Sequence, residues 1–245
     1  IERDKPEKYS ISPFQALMTA QAATVGTGNI IGVAVAIALG GPGAVFWMWI
    51  IAILGMATKY CEAFLAIMYS EKNRRKEKVG GPMYYIKNGL GSRWNWLAYF
   101  FAFFGMVASF GIGNTVQANA IASTVFEVFT VEKNFSGIII SLTVGLVILG
   151  GVKRIGFIAS RLVPFMVVVY VLLCLLVILK NIDSIYEIFK LIFTEAFDLK
   201  SGSGAGMWLA IKWGFARGMF SNEAGLGSAA IAHGASNSDD PVKQG

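Results

Sequence analysis

The sequence predicts an all-α, polytopic membrane protein. Hydrophobic residues make up 55% of its 245 residues and charged residues only 15%, whereas soluble domains carry roughly 25% charged residues. The mean hydropathy is +0.59. The charges are also unevenly spread, which leaves several runs of about 18 or more nearly uncharged residues, each long enough to cross a bilayer.

Six apolar segments carry this prediction. They lie at about 13–39, 44–69, 94–126, 136–149, 162–179 and 204–235. Glycine-bearing or charged links join most of them, and the Gly-Gly-Pro-Gly sequence at 40–43 predicts a tight turn between the first two. The fourth segment is the shortest, at about fourteen residues, against the roughly 20 that a spanning helix needs.

The distribution of Lys and Arg predicts the orientation. If the chain crosses the membrane at each segment, fourteen basic residues fall on one side and four on the other. The larger group includes the N-terminal residues and the basic run Lys72, Arg74, Arg75, Lys76 and Lys78. Because basic loops concentrate in the cytoplasm, we expect a cytoplasmic N-terminus, and the basic loop needs no nucleic-acid partner to explain it.

The link at 181–203 is expected on the outer side. Its stretch 184–197 places Ile185, Ile188, Phe189, Ile192 and Phe193 at helical spacing, with charged residues elsewhere. This pattern is typical of an amphipathic helix that lies on the membrane surface. A role as a gate is the alternative.

Two of the segments are too long and carry glycine where a continuous helix should not. The sixth segment has 32 residues, roughly 48 Å as a helix, against a hydrocarbon core of about 30 Å. The first contains Thr-Val-Gly-Thr-Gly-Asn at 24–29, and the sixth contains Ser-Asn-Glu-Ala-Gly-Leu-Gly-Ser at 221–228.

Such paired interruptions indicate the binding site of a secondary transporter. In lipid, backbone freed from a helix is tolerated only where it lines a protein cavity. There, helix N-terminal amides bind an anion and C-terminal carbonyls bind a cation. The alternative is that these glycines only permit close packing between helices.

Two other function classes fit the sequence less well. Residues 24–28, Thr-Val-Gly-Thr-Gly, resemble a potassium-channel selectivity filter. A filter requires an extended return to the surface, whereas 30–39 is an apolar run that completes a crossing. An enzyme is not expected, because His233 is the single histidine and has no evident Asp or Cys partner.

Several longer motifs resemble the alanine/glycine:cation symporter family. The main one is GGPGAVFWMWIIAILG at 40–55, and FQAL at 14–17, GPMYYI at 81–86, GIGN at 111–114 and 221–233 add to it, as does the 24–29 interruption. The final PVKQG at 241–245 is also similar. The resemblance spans nearly the whole chain.

The resemblance implies sodium-coupled uptake of small neutral amino acids, such as alanine and glycine, by alternating access. It also implies the inverted-repeat fold of the leucine transporter, which uses about ten core helices. Residues 1–180 then supply the first five-helix repeat, 181–203 an outer linker, and 204–245 the broken first helix of the second repeat with a cytoplasmic tail. We therefore expect a fragment of a multi-pass protein of a prokaryotic plasma membrane.

Physics and resemblance together suggest the site. The substrate carboxylate is expected on backbone amides around Gly26, Thr27, Gly28 and Asn29, beside Thr24. The ammonium is assigned to Gln117, expected to be buried in the third segment. An interhelical hydrogen bond is the alternative role of Gln117.

The coupling ion is expected to be sodium, bound by hard oxygens. The candidates are the carbonyls of Thr24 and Val25 and the side chains of Asn29 or Asn222. Ser221 and Asn222 begin the second interruption and are expected to close the site from the sixth segment.

Ionisable residues within the segments complete the candidates. Lys59 and Glu62 are three apart and expected to pair on one helical face, for gating or for structure. Glu223 adjoins the second interruption, and Arg217 is its expected partner. Proton coupling through Glu223 is a hypothesis. The partners expected are an amino-acid substrate and the lipid bilayer.

Overall fold

The computed structural model describes residues 10–74, 76–111, 113–198 and 206–245, without the side chain of Thr27. Arg75 of the basic run, Ile112 of the GIGN motif and the start of the predicted sixth segment lie outside the described residues, as do residues 1–9. The helices in chain order are α1 (Pro13–Thr24), α2 (Thr27–Gly40), α3 (Ala44–Met68), α4 (Pro82–Leu90), α5 (Asn95–Gly111), α6 (Asn114–Phe129), α7 (Lys133–Ile148), α8 (Gly151–Lys180), α9 (Ile185–Phe197), α10 (Gly206–Asn222), α11 (Ser228–Gly234) and α12 (Pro241–Gln244).

Four helical stretches of the described chain are long and apolar enough to cross a membrane. They are Pro13–Gly40, Ala44–Met68, Ser92–Phe129 and Gly151–Lys180, and Lys133–Ile148 is a shorter apolar helix. The chain is therefore an all-α, multi-pass membrane protein. The inverted-repeat arrangement and the division into repeats stay predictions.

Two predicted segments differ in detail. The third comprises two helices, α5 and α6, on either side of the Gly-Ile-Gly sequence at 111–113. The fifth begins earlier, because Lys153, Arg154 and Arg161 belong to α8 rather than to a link. Lys and Arg are good helix formers, so the basic stretch continues the helix ahead of the apolar run. Pro164 lies inside α8.

The basic loop carries the only strands in the described ranges. β1 (Glu71–Lys72) and β2 (Lys78–Val79) pair antiparallel, with Glu71 opposite Val79. The described residues divide into two compact units: the first lies within 10–20, 62–160 and 227–245, and the second within 21–61, 161–198 and 206–226.

In the second unit, α10 packs against both α2 and α3 through small residues. A Cβ built on Gly40 of α2 would lie 2.9 Å from the Cβ of Trp213. A Cβ on Gly214 would lie 2.6 Å from the carbonyl oxygen of Ala44, at the start of α3. Glycine at these positions is what lets the helix backbones approach so closely.

The amphipathic helix expected at 184–197 is α9, and one of its faces covers the start of α3. Trp47 Nε1 donates to the Ala196 carbonyl at 3.1 Å. Phe46 makes edge-on contacts with Phe193 and Phe197, at centroid distances of 5.6 and 5.0 Å. The aromatic face of α9 is thus fixed to the protein.

In the first unit, the chain before α1 and the chain after α11 pair with each other. Ile11 N donates to the Ala235 carbonyl at 3.1 Å, and Asn237 N donates to the Ile11 carbonyl at 2.9 Å. His233, the single histidine of the chain, is buried, with its Nδ1 2.8 Å from Gln244 Nε2. The residues that follow α11 fold back and cover this histidine.

Candidate functional site

The first helix interruption consists of residues 25–26, between α1 and α2. Thr24 Oγ1 donates to the Gln21 carbonyl at 3.1 Å, and Val25 N donates to the same carbonyl at 2.8 Å, so that α1 ends on its own turn. Gly26 is extended, at φ −165°, and α2 begins without a side-chain cap. The first amides of α2 therefore keep the partial positive charge of a helix N-terminus.

The second interruption consists of residues 223–227, between α10 and α11. Three of its residues have positive φ: Glu223 at 52°, Gly225 at 88° and Gly227 at 80°. This left-handed backbone is costly for residues with a side chain and easy for glycine. The sequence Glu-Ala-Gly-Leu-Gly therefore folds as a broken helix for a local reason.

The second unit brings the residues that flank the two interruptions together. Ser221 Oγ, at the end of α10, hydrogen-bonds Asn29 Oδ1, in the first turn of α2. A Cβ built on Gly28 would lie only 3.3 Å from Ser221 Cα. Three residues expected in one site are thus neighbours: Gly28, Asn29 and Ser221.

Asn222 carries a buried donor with no acceptor. Its Oδ1 accepts from Ala224 N at 2.9 Å, which starts the turn out of α10. Its Nδ2 is buried without a hydrogen-bond partner among the described residues. A Cβ on Gly55 of α3 would lie 2.5 Å from this nitrogen. Because buried polar groups are nearly always satisfied, the nitrogen is suited to a ligand oxygen.

A pocket of about 280 Å³ adjoins the first interruption in the second unit. Val25, Gly26, Asn29 and Ile30 line one side, and α8 supplies Phe165, Met166, Val169, Tyr170 and Leu173. The Tyr170 hydroxyl donates to the Asn29 carbonyl at 3.3 Å. The pocket is largely apolar, with its polar groups at the edge of the interruption.

In the first unit, Glu62 holds the start of α11. Its side chain is buried, and Oε1 accepts from Gly227 N at 3.1 Å. Burial raises the pKa of the nearby Tyr85 hydroxyl, and the Glu62 charge raises it further. The carboxylate thus satisfies a backbone amide that the interruption frees.

The remaining predicted residues lie elsewhere. Gln117, expected to be buried, is half-buried on α6 of the first unit, and its role stays a prediction. Arg217 has a buried Nε without a partner among the described residues, and its guanidinium lies 5.5 Å from the Trp213 ring. The pairings of Arg217 with Glu223 and of Lys59 with Glu62 also stay predictions.

Sequence reasoning missed two residues of this cluster. Gly55 belongs to the motif at 40–55, but nothing in its apolar surroundings reveals that Asn222 packs on it. Tyr170 is a tyrosine within an apolar run of α8. Its hydroxyl could have indicated a polar contact at this point, since a buried tyrosine usually finds a hydrogen-bond partner.

Comparisons with known proteins decide the family. The model of the "Sodium:alanine symporter family" matches residues 1–245. The chain belongs to the sodium:alanine symporter family. It is 50% identical over 244 residues to the "Sodium/alanine symporter AgcS" of Methanococcus maripaludis, covering 99% of this chain and 54% of that protein.

Two further relatives extend the comparison. An "Uncharacterized transporter" of Haemophilus influenzae is 51% identical over 250 residues, covering 100% of this chain and 54% of that protein. The "Probable sodium/glutamine symporter GlnT" of Bacillus subtilis is 44% identical over 239 residues, covering 97% of this chain and 49% of that protein.

The chain spans about half the length of the curated relatives that it matches. Membership of this family confirms the resemblance noted in the sequence. The family is one of transporters, so the chain is not part of an enzyme. A multi-pass protein of this family is expected in a bacterial or archaeal plasma membrane.

Proposed function

We propose that the full-length protein couples sodium entry to the uptake of small neutral amino acids by alternating access. The observation that carries this proposal is the bond between Ser221 and Asn29, which brings the flanks of the two helix interruptions together. Paired interruptions of this kind are the binding-site signature of secondary transporters. The family match supports sodium and an amino acid as the coupled pair.

The substrate carboxylate is assigned to the start of α2 and to Asn222. The uncapped N-terminus of α2 offers backbone amides around Gly26, Thr27 and Gly28. Asn222 Nδ2 adds a buried donor in need of an oxygen acceptor. A carboxylate satisfies both, because it accepts hydrogen bonds at two oxygens.

Sodium is assigned to the carbonyls of Thr24 and Val25 and to Asn29 Oδ1. A carbonyl or amide oxygen has two lone pairs, so Asn29 Oδ1 can accept from Ser221 and bind a cation. Asn222 Oδ1, which accepts one hydrogen bond from Ala224 N, stays a second candidate for sodium on the same ground. The assignment of the substrate ammonium to Gln117 stays a prediction from the sequence.

A small side chain is favoured by the space between α2 and α10. A Cβ on Gly28 would lie 3.3 Å from Ser221 Cα, so little room remains where the two helices meet. One relative is named a probable glutamine symporter. A carboxamide would need several hydrogen-bond partners, and the pocket beside the interruption is largely apolar.

The test is uptake of labelled alanine into proteoliposomes that contain the full-length protein. An inward sodium gradient should drive accumulation, and a matched potassium gradient should not. Potassium flux without alanine accumulation would instead favour the channel hypothesis. The structure gives that hypothesis little support, because α2 follows residues 25–26 directly, where a filter requires an extended return.

Three variants test the assigned site in the same assay. Asn222→Leu removes the buried donor, and we expect at least tenfold weaker apparent affinity for alanine, the effect of losing a hydrogen bond to a charged group. Gly28→Leu should abolish uptake. Asn134→Leu, on an exposed residue of α7, is the matched control and should transport normally. Equal uptake by all three would refute the assignment.

The orientation is proposed from the charge distribution. The basic hairpin β1–β2 should face the cytoplasm. Lys76→Cys, in a protein without Cys61 and Cys174, should be labelled by a membrane-impermeant thiol reagent in inside-out vesicles and protected in intact cells. Labelling in intact cells would reverse the orientation.

A further inference from the structure

A second pocket, of about 250 Å³, lies in the first unit between α4 and α5. It is lined by Met83, Tyr84, Lys87, Asn95, Ala98, Tyr99 and Ala102. It stands at the beginning of the membrane-spanning stretch Ser92–Phe129, directly after the basic hairpin. The transport proposal makes no use of this pocket.

Lys87, which lines this pocket, forms an ion pair with Glu71. Lys87 Nζ lies 2.9 and 3.2 Å from the two carboxylate oxygens of Glu71. The hydrogen bonds from Lys87 and Asn88 lower the pKa of Glu71, and the bond to Glu71 raises the pKa of Lys87. Both groups therefore stay ionised around neutral pH, and of the two it is Lys87 that lines the pocket.

Another side carries an acceptor that lacks a donor. Asn95 Oδ1 is buried and has no hydrogen-bond partner among the described residues. A buried carbonyl oxygen in this state is rare and costly. A ligand that brings an N–H or O–H donor would satisfy it.

The surroundings are those of a membrane interface. Trp94 stacks on Trp96 at a centroid distance of 6.3 Å, and both rings are exposed. Tyr99, which lines the pocket, is 75% exposed. Exposed Trp and Tyr beside basic residues are typical of the level of lipid headgroups.

We propose that this pocket binds a phospholipid whose headgroup carries a primary ammonium, that is, a phosphatidylethanolamine-type lipid. The phosphate binds Lys87, and the ammonium donates to Asn95 Oδ1. Met83, Ala98 and Ala102 contact the apolar part of the lipid. The proposal does not depend on the transport function.

The chemistry separates this lipid from its competitors. A quaternary choline can stack on the tyrosines but has no N–H to donate, so it leaves Asn95 Oδ1 unsatisfied. A glycerol headgroup can donate a hydroxyl to Asn95 Oδ1, but that hydrogen bond lacks the positive charge of an ammonium and is therefore weaker. The ethanolamine headgroup fits both features.

The test is lipid retention by the full-length protein, purified from nanodiscs with equal amounts of ethanolamine, choline and glycerol phospholipids of the same acyl chains. Native mass spectrometry should show about a tenfold preference for the ethanolamine lipid over the choline lipid, the worth of one charge-assisted hydrogen bond. Soluble glycerophosphoethanolamine at equal concentration should not displace the lipid, because it lacks the acyl chains.

Two variants and a control make the test specific. Asn95→Leu should bring the preference close to one, whereas Asn95→Asp, which keeps an acceptor, should retain it. Asn134→Leu is the control for loss of an asparagine elsewhere in the same unit and should retain it. Equal retention of the three lipids by the unmodified protein, a preference for the glycerol lipid, or a preference that survives Asn95→Leu would each overturn the proposal. Displacement by the soluble headgroup would overturn the lipid as its source.

Discussion

The interruption between α1 and α2 takes two residues, whereas the one between α10 and α11 takes five. In the first, Gly26 has an extended backbone that any residue can adopt. In the second, three residues have positive φ, and the Asn222 side chain accepts from the Ala224 amide to start the turn. Glu62 then holds the Gly227 amide at the start of α11.

The difference suggests separate roles. The turn after α10 is fixed by its left-handed backbone and by the hydrogen bond from Ala224 N to Asn222 Oδ1, so it can present Ser221 and Asn222 as a rigid surface. The first has few such anchors, and its uncapped amides remain available. We infer that the first interruption supplies ligand contacts and can adjust, while the second supplies the fixed frame. The predictions below test this contrast, from the largest expected effect to the smallest.

Gly227→Ala should destabilise the protein most. Its Cβ would meet Pro82 Cγ at 2.4 Å and Phe101 Cζ at 2.8 Å, at a φ of +80°. Overpacking and left-handed backbone together cost about 2–5 kcal/mol. Thermal unfolding of the purified full-length protein measures this loss.

Gly225→Ala is its matched control. Gly225 also has positive φ, at +88°, but a Cβ there meets nothing within 4 Å. Only the backbone cost of about 1–2 kcal/mol should appear. If the two variants unfold at the same temperature, the packing against Pro82 and Phe101 contributes nothing to the frame.

Glu62→Leu should cause the next largest loss of stability. It leaves the buried Gly227 amide without its carboxylate acceptor, which costs about 1–3 kcal/mol. Glu62→Gln keeps an acceptor oxygen and should lose less. Glu127→Leu, on an exposed residue of α6, controls for a lost acidic residue in the same unit. A Glu62→Gln protein less stable than Glu62→Leu would show that Glu62 does not act as an acceptor.

Gly55→Ala should separate activity from stability. The new methyl would lie 2.5 Å from Asn222 Nδ2 and must displace that side chain. We expect at least a tenfold loss of sodium-driven alanine uptake with a smaller change in unfolding temperature. Gly32→Ala on α2, where a Cβ meets nothing within 4 Å, should transport normally. Normal uptake by Gly55→Ala would remove Asn222 from the site.

Much of this arrangement could be predicted from the sequence, for a physical reason. Glycine next to polar residues in an overlong apolar segment breaks a helix locally, so the interruptions at 25–26 and 223–227 could be predicted. The glycines at 111 and 113, between α5 and α6, are a similar signal. They are separated by the apolar Ile112 rather than by polar residues, so one continuous segment was predicted there. The early start of α8 was not predicted, because the charges of Lys153, Arg154 and Arg161 indicated a link between segments rather than a helix.

The contacts between distant residues could not be predicted. The packing of Asn222 on Gly55 and the bond from Tyr170 to Asn29 each join residues far apart in the chain. Periodicity and local propensity carry no information about such pairs. Gln117 illustrates the same limit, because its helix was predicted but its half-exposed face was not.

Gly26→Ala should have the smallest effect on stability. Gly26 lies at φ −165°, so an alanine there adopts the same backbone without strain. The free energy of unfolding should change by no more than about 0.5 kcal/mol, with a correspondingly small shift of the unfolding temperature. Alanine uptake tests whether the first interruption contacts the substrate. If the first interruption supplies backbone contacts to the substrate, the added methyl should weaken apparent alanine affinity while leaving the fold intact. A stability loss as large as that of Gly227→Ala would mean that glycine fixes both interruptions alike, and the contrast between an adjustable and a rigid half-site would fail.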